Sequence, residues 1–246
     1  LLIATGGRPR LPGAAWAQHP RVMTLRSWDD AARLRQGLQG CRRLAIVGGG
    51  WIGLEIAASA RRLGAEVTVF ERQPALCMRS VGADVSQALL ELHRRQGVTV
   101  LCGCGEISLE DRDGAAWIGS EVSDPQAFDL VVVGIGVELN LELARSAGLA
   151  IESGIVVDGQ GRTSHPAIFA AGDVARHPTL GLCLQSWAYA QNQAISTACA
   201  MLDAFAAPYD DVAWLWSDQY DANIQILGVP SGGVHHVVRR TPQSQV

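Results

Sequence analysis

Two carboxylates and one run of glycines are the residues of this chain whose types and spacing suit chemistry best. Gly48-Gly49-Gly50-Trp51-Ile52-Gly53 is a GxGxxG set between an apolar strand and a helix. Gly48 permits the tight turn, Gly50 lets backbone approach a pyrophosphate, and Gly53 lets helix and strand pack closely. The helix N-terminus supplies free N–H groups and a partial positive charge to the phosphates. Glu71 ends the next strand, eighteen residues after Gly53. A carboxylate there accepts hydrogen bonds from both ribose hydroxyls and repels a 2′-phosphate, which favours NAD over NADP. On its own the set could be a tight strand–helix turn followed by a surface acid; turn, helix and acid in register speak for the dinucleotide.

Other residues leave two readings open. Glu55, placed in the first helical turn, either complements the helix dipole or stands near a nicotinamide carboxamide. Arg79 is either a lone surface cation or a contact on the adenosine side. Gly172-Asp173, after an apolar strand, either holds a ligand hydroxyl at a sheet edge or caps the next element. Cys102 and Cys104 form a CxC with no second ligand pair nearby, and none of the six cysteines forms a CxxC. They read as structural thiols in a reducing, cytoplasmic compartment, and no metal site is expected.

The elements that must position these residues alternate. Leu44–Val47 is expected as a strand, Trp51–Leu63 as a helix and Glu66–Glu71 as a strand. A helix over Ala83–Gln96 and a strand over Val98–Leu101 follow. Short strands are expected at Ile107–Leu109 and Ala115–Ile118 around an Asp113-Gly114 turn, then an apolar strand, Phe128–Val133, ending in Gly134-Ile135-Gly136. This βαβ rhythm implies a parallel sheet covered on both faces. Before it, residues 1–5 read as a buried strand, and residues 27–39 as a helix capped by Ser27 with Asp29 and Asp30 in its first turn. After it, the reading gives a short helix at Leu139–Ala147, strands at Gly154–Asp158 and Ile168–Ala171, a long helix at Ser186–Phe205, two strands within 212–229 around Tyr220–Ala222, and a loose polar tail from Arg239 to Val246.

The 246 residues carry a net charge of −4, which argues against nucleic acid as the main partner, because neutralising phosphates needs a basic field. The pairs Arg42/Arg43, Arg61/Arg62, Arg94/Arg95 and Arg239/Arg240 are either solvated faces or a local patch for an acidic partner protein. No apolar run approaches the roughly 18 residues that a membrane span needs. The opening Leu1-Leu2-Ile3-Ala4-Thr5-Gly6 has no initiator Met and reads as a start within a fold.

The order of these segments resembles the pyridine nucleotide–disulfide oxidoreductase superfamily. The resemblance rests on Leu2-Ile3-Ala4-Thr5-Gly6, the Gly48–Glu71 unit, Gly134-Ile135-Gly136, and Arg162-Thr163 through Ala170-Ala171-Gly172-Asp173-Val174-Ala175. Ser186-Trp187-Ala188-Tyr189-Ala190-Gln191-Asn192-Gln193-Ala194 and Trp216-Ser217-Asp218-Gln219-Tyr220 are similar to the ferredoxin and rubredoxin reductase branch, most of all to the ferredoxin reductase component of bacterial aromatic-ring dioxygenases.

The resemblance implies an α/β protein: a Rossmann-like NAD domain at 41–134 inserted in a partial FAD domain (1–25 and 135–208), then the start of a small C-terminal α/β domain at 211–246. It implies FAD held by Thr5, Gly6, Arg8 near its diphosphate, Gly172, Asp173 on a ribityl hydroxyl, and Trp187 against the isoalloxazine ring; from the residues alone Trp187 reads as core. It implies NAD lined by Gly48, Gly50, Ile52, Gly53, Glu55, Glu71, Arg79, Gly134, Ile135 and Gly136. The implied reaction passes a hydride from NADH to FAD and then single electrons to a [2Fe–2S] ferredoxin, with no side chain acting as acid or nucleophile.

Three departures stand beside the resemblance. The family's upstream FAD fingerprint and flavin-side lysine are missing, the C-terminal domain is short, and Gln185 replaces the usual Glu. The first two imply a piece of a longer protein, and the third removes one charge near the flavin. Two alternatives follow: an NAD-binding fragment without catalysis, or a related NADH oxidoreductase with rubredoxin, a disulfide or oxygen as acceptor.

Overall fold

The computed structural model describes residues 1–203, 205–229, 237 and 239. The tail expected at 239–246, and Arg240 of the last arginine pair, lie outside the described residues except for Arg239.

The chain packs as two units, one interrupting the other. Pro9–Gly136 and Ser217–Ile224 belong to the larger; Leu1–Arg8, Val137–Trp216 and Gln225–Gly228 form the smaller. Contacts therefore place residues 9–25, read from the resemblance as FAD domain, with the stretch 41–134.

The larger unit is built on a five-stranded sheet in the order Val22–Met23, Leu130–Val133, Arg43–Val47, Glu66–Glu71, Thr99–Cys102. Every neighbouring pair is parallel. Leu44, Ala45, Ile46 and Val47 are all buried, as are Leu130 through Val133; strands without alternation are what a sheet covered on both faces needs. The Trp51–Arg62 helix turns Leu54, Ile56, Ala57, Ala58 and Ala60 inward, and the Ala83–Arg95 helix buries Leu89 and His93. From Arg43–Val47 the chain steps outward through Glu66–Glu71 to Thr99–Cys102. It then returns to the opposite side of Arg43–Val47 with Leu130–Val133. The two central strands thus flank a point where strand order reverses, the place where open α/β sheets bind ligands beyond the strands' carboxyl ends.

The helix capped by Ser27 is Trp28–Leu38. The Ser27 hydroxyl accepts from the Asp30 amide, and the Asp30 carboxylate accepts from the Ser27 amide. Between the last two sheet strands in sequence lies an antiparallel three-stranded sheet of Ile107–Arg112, Ala115–Ser120 and Ser123–Phe128. Asp113 and Gly114 both take positive φ, as a tight two-residue hairpin turn requires.

Several elements differ from the sequence reading. The strand expected over Phe128–Val133 is two, broken at Asp129, whose carboxylate accepts from the Arg42 and Arg43 amides at 2.9 Å each. Ser123–Phe128, Ala14–Gln18 and Val22–Met23 were not expected; the first carries Pro125 and polar residues on a half-exposed strand, and the others are too short for periodicity to show. Cys102 ends its strand, and a turn at Gly103 with φ 68 puts Cys104 into the core.

In the smaller unit Leu2–Ile3 pairs in parallel with Phe169–Ala170, and Ile155–Val156 with Ala175–Arg176. Ile3, Leu141, Ala144, Leu149, Ile155, Val157, Ala170, Val174 and Ala175 form its core. The expected strands at Gly154–Asp158 and Ile168–Ala171 shrink to these two-residue pairs. The helix expected at Leu139–Ala147 is only Glu142–Ser146: Val137–Leu139 is a strand, and Asn140 is pinned through its side chain to the Thr5 carbonyl. The long helix runs Trp187–Leu202, capped by the Ser186 hydroxyl. A hairpin of Trp214–Gln219 and Ala222–Leu227 follows, of which Ser217–Ile224 belongs to the larger unit. No helix among the described residues is long and apolar enough to cross a membrane.

Candidate functional site

The glycine turn sits where strand order reverses. Gly48 has φ 110, a left-handed value that favours glycine, and a Cβ on it would stand 2.4 Å from the Gly134 oxygen. A Cβ on Gly53 would stand 2.2 Å from the Gly48 oxygen and 3.1 Å from Ile46 Cγ2, so the helix lies against its strand only without a side chain there. Gly50 differs. The nearest atom to a Cβ on it is the Gly134 oxygen at 4.0 Å, leaving open space in front of the helix N-terminus. Gly50 is the N-cap and offers no side-chain cap, so the first amides of the Trp51–Arg62 helix face that space without a side-chain partner. The open space and the free amides have the shape and polarity that a pyrophosphate needs, and the residues present fit a dinucleotide.

The sequence reading missed Gly49. A Cβ there would meet Leu76 Cδ2 at 2.5 Å and Glu71 Oε2 at 3.0 Å, so the packing of the turn needs Gly48 and Gly49 bare and leaves Gly50 open. It also missed the Trp51 indole N–H, which is buried without a hydrogen-bond partner among the described residues.

Glu71 ends its strand beside this turn. Its Oε2 accepts from the Gly49 amide at 2.5 Å and its Oε1 from the Gln73 amide at 2.6 Å. Each carboxylate oxygen retains a lone pair for a further donor. Gly134, Ile135 and Gly136 form the opposite rim; the Gly134 amide donates to the Val47 carbonyl at 2.8 Å. Arg79 is exposed, with Nη2 at 3.3 Å from where a Gly136 Cβ would lie, so it is brought to the rim. Ile52 is 44% exposed beside the cradle.

Glu55 is the fifth residue of its helix, past rather than within the first turn where it was expected. It is half-buried and accepts from the Ser217 hydroxyl at 2.6 Å. Burial pushes its carboxyl up from the ordinary value; the Ser217 bond opposes this and the Asp218 charge adds to it. The role of Ser217 was not visible in the sequence.

The six residues expected around FAD lie in the smaller unit. Because Ile3 pairs with Ala170, Thr5-Gly6 and Gly172-Asp173 follow the carboxyl ends of adjacent parallel strands. Thr5 donates from Oγ1 to the Asn140 carbonyl at 2.7 Å, and Gly6 has φ 58. Gly172 has φ 75; its amide donates to Gln193 Oε1 at 2.7 Å, and Gln193 is buried. Asp173 lies inside the short turn Gly172–Val174, whose N-cap is Ala171, so the capping role for Asp173 does not hold. Trp187 is not core: it is 63% exposed, with its ring edge-on to Trp216 at 5.8 Å. These residues fit a planar aromatic group beside the start of the long helix. Arg8 is engaged already, donating to Glu142 at 2.8 Å, Glu138 at 2.7 Å and Asn140 at 3.0 Å; those two carboxylates, Glu142 first, raise its pKa further. All six cysteines are free thiols, and no cluster among the described residues could hold a metal ion.

Residues 1–194 match the family described as pyridine nucleotide-disulphide oxidoreductase, and residues 214–246 match the reductase C-terminal family. Over 98% of its length the chain is 41% identical to 60% of the anthranilate 1,2-dioxygenase system ferredoxin–NAD(+) reductase component of Burkholderia cepacia. The ferredoxin reductase for the CYP199A2 system of Rhodopseudomonas palustris superposes with a TM-score of 0.89 at 36% identity, covering 98% of this chain and 60% of that one. The reductase in the covalent putidaredoxin reductase–putidaredoxin complex superposes with a TM-score of 0.88 at 34% identity, with the same coverage. The chain thus spans about 60% of the length of these relatives.

Proposed function

The chain belongs to the pyridine nucleotide–disulphide oxidoreductase family, and from that premise we propose that it is the NAD-binding part, with a portion of the FAD-binding part, of a reductase passing electrons from NADH through FAD to a [2Fe–2S] ferredoxin of an aromatic-ring dioxygenase system. The observation that carries this reading is the cradle: an open Gly50 at the switch point, between two glycines that tolerate no side chain, with Glu71 bonded to the same turn.

In this reading Gly48, Gly50 and Gly53 with the helix N-terminus hold the pyrophosphate. Glu71 accepts from the adenosine ribose and disfavours a 2′-phosphate. Arg79 and Gly134–Gly136 line the adenosine side and the rim, and Ile52 and Glu55 the nicotinamide end. Thr5, Gly6 and Arg8 serve the FAD diphosphate, Gly172 and Asp173 the ribityl chain, and Trp187 the ring, with Gln193 fixing the Gly172 turn. FAD, when bound, supplies the exchange between two-electron and one-electron chemistry. The protein supplies placement and exclusion of water, and none of its side chains need carry a proton in the reaction. The domain map of this reading is 1–25 and 135–208 for FAD, 41–134 for NAD and 211–246 for the C-terminal domain, although residues 9–25 and 217–224 pack with the larger unit. The free thiols suit a reducing compartment such as the cytoplasm.

The relatives' names speak for a ferredoxin as acceptor: one of them is a ferredoxin–NAD(+) reductase component and another was solved covalently joined to putidaredoxin. Rapid mixing of NADH with the FAD-loaded protein, followed by a ferredoxin and then by rubredoxin, a disulfide or oxygen, tests the reading. Bleaching of the flavin band by NADH and its return on adding ferredoxin is expected. A flavin that never bleaches overturns the reading; return only with another acceptor overturns the ferredoxin half. The chain's coverage of its relatives favours a second reading, an NAD-binding fragment that does not hold FAD by itself, and a colourless protein after incubation with excess FAD would select it.

A further inference from the structure

A chain of hydrogen bonds runs through the larger unit and ends on Glu55. The Tyr220 hydroxyl lies 3.1 Å from His93 Nδ1, and His93 Nε2 lies 2.8 Å from Gln219 Oε1. Gln219 Nε2 donates to Ser217 Oγ at 3.0 Å, and the Ser217 hydroxyl donates to Glu55 Oε1 at 2.6 Å. His93, Gln219 and Ser217 are fully buried.

The proton positions follow from chemistry. An ionised carboxylate only accepts, so the single Ser217 proton points to Glu55. The Ser217 oxygen then takes an N–H of the Gln219 amide. The reverse orientation of that amide would ask one serine proton to serve two acceptors. The Gln219 carbonyl therefore faces His93 Nε2, which carries the ring proton, and Nδ1 is left bare to accept from Tyr220. Every donor points the same way, toward Glu55. Three elements build the relay. Ser217 and Gln219 are alternate residues of the Trp214–Gln219 strand and share a face; His93 comes from the Ala83–Arg95 helix; Glu55 follows the glycine turn. Tyr220, at the hairpin turn, has φ 54, a left-handed conformation that a tyrosine adopts at a cost. Its ring meets that of His93 at 5.2 Å. A network this buried is tolerated because each member is satisfied.

We propose that Ser217, Gln219, His93 and Tyr220 are positioning residues for dinucleotide binding: the relay occupies one oxygen of Glu55 and presents the other as an acceptor for the primary amide of a nicotinamide. This rests on the NADH reading above. Glu55 Oε2 makes no hydrogen bond among the described residues, and an anionic carboxylate can receive an amide N–H where a protonated one offers a mismatched hydroxyl. The charged and titratable groups facing Glu55 are Asp218, which repels it, the buried Cys77 thiol, which feels its charge, and Arg35, which lines the same groove of about 300 Å³ as Glu55, Ile56 and Ser59. The hydroxyl of Ser217 is the neighbour that hydrogen-bonds the anion.

The experiment measures NADH affinity by calorimetry and the Glu55 carboxyl titration by carbon NMR, in the unaltered chain and in Ser217→Ala, Ser217→Thr and Tyr220→Phe. Losing a hydrogen bond to a charged group predicts NADH binding about tenfold weaker for Ser217→Ala near neutral pH. It predicts a Glu55 midpoint raised by about one pH unit. Ser217→Thr, which keeps the hydroxyl, restores both. Tyr220→Phe, at the far end of the four hydrogen bonds, weakens binding by about two- to threefold. Unchanged affinity and midpoint in Ser217→Ala overturn the proposal. If the unaltered chain takes up no NADH while Ser217→Ala still moves the Glu55 midpoint, the nicotinamide assignment falls and the hold of the relay on Glu55 is supported.

Discussion

Glu71 and Gly49, twenty-two residues apart, are joined by a hydrogen bond of 2.5 Å from the Gly49 amide to the carboxylate Oε2. The residue that would read the ribose is thus also a strut of the turn that would hold the pyrophosphate. Replacing Glu71 by Arg removes the strut and the negative field together. NADH affinity is expected to fall by tenfold or more, since hydrogen bonds to charged groups contribute about 1.5–3 kcal/mol, while NADPH affinity rises relative to NADH. Titration with both nucleotides checks this; an unchanged preference would remove Glu71 from the site.

The glycines separate binding from stability. Gly53→Ala places a methyl 2.2 Å from the Gly48 oxygen and is expected to destabilise by about 1–3 kcal/mol through overpacking. Gly50→Ala meets nothing nearer than 4.0 Å, so its thermal unfolding should match that of the unaltered chain while NADH binding is lost. Equal effects of the two on stability would mean that Gly50 is structural.

The spacing of the glycines and the acid made this part of the site legible from sequence, because it depends on one contiguous strand–turn–helix–strand. The relay to Glu55 was not legible: Ser217 reaches Glu55 across 162 residues, and no local pattern records that the hairpin would pack there. Trp187 reads as core from its apolar character alone, whereas it is 63% exposed. Gly49 was passed over because the motif leaves that position free, whereas Leu76 and Glu71 crowd it here. Val22–Met23 shows no period in two residues, yet its pairing with Leu130–Val133 extends the sheet past the switch point.

Burial holds the His93 pKa below its ordinary value of 6.5, against the Gln219 bond that raises it. The unfolded chain therefore binds a proton at His93 before the folded one does. The stability this neutral histidine supports is complete above pH 6.5 and is lost as pH falls toward the depressed native value. Urea unfolding below pH 6.5 should weaken by up to about 1.4 kcal/mol per pH unit from this residue. His93→Gln should flatten that part of the profile; the same slope in the variant would assign it elsewhere.

Cys77 is buried and its thiol is pushed up to about 12, chiefly by burial and then by the Glu71 and Glu55 charges. Cys199 is exposed. A thiolate-selective alkylating agent at neutral pH should therefore modify Cys199 in the folded chain and Cys77 only after unfolding. Early modification of Cys77, read by peptide mass, would mean that the turn beside Gly49 opens readily.

The most direct test of the account is a titration of the purified chain with NADH, with NADPH as the comparison. Saturable binding with one nucleotide per chain, tighter for NADH, abolished by Gly50→Ala in a protein that still unfolds at the same temperature, is the predicted result. A chain that folds but shows no saturable binding of either nucleotide would contradict the dinucleotide site at Gly48–Gly53 and Glu71, and with it the proposed reductase.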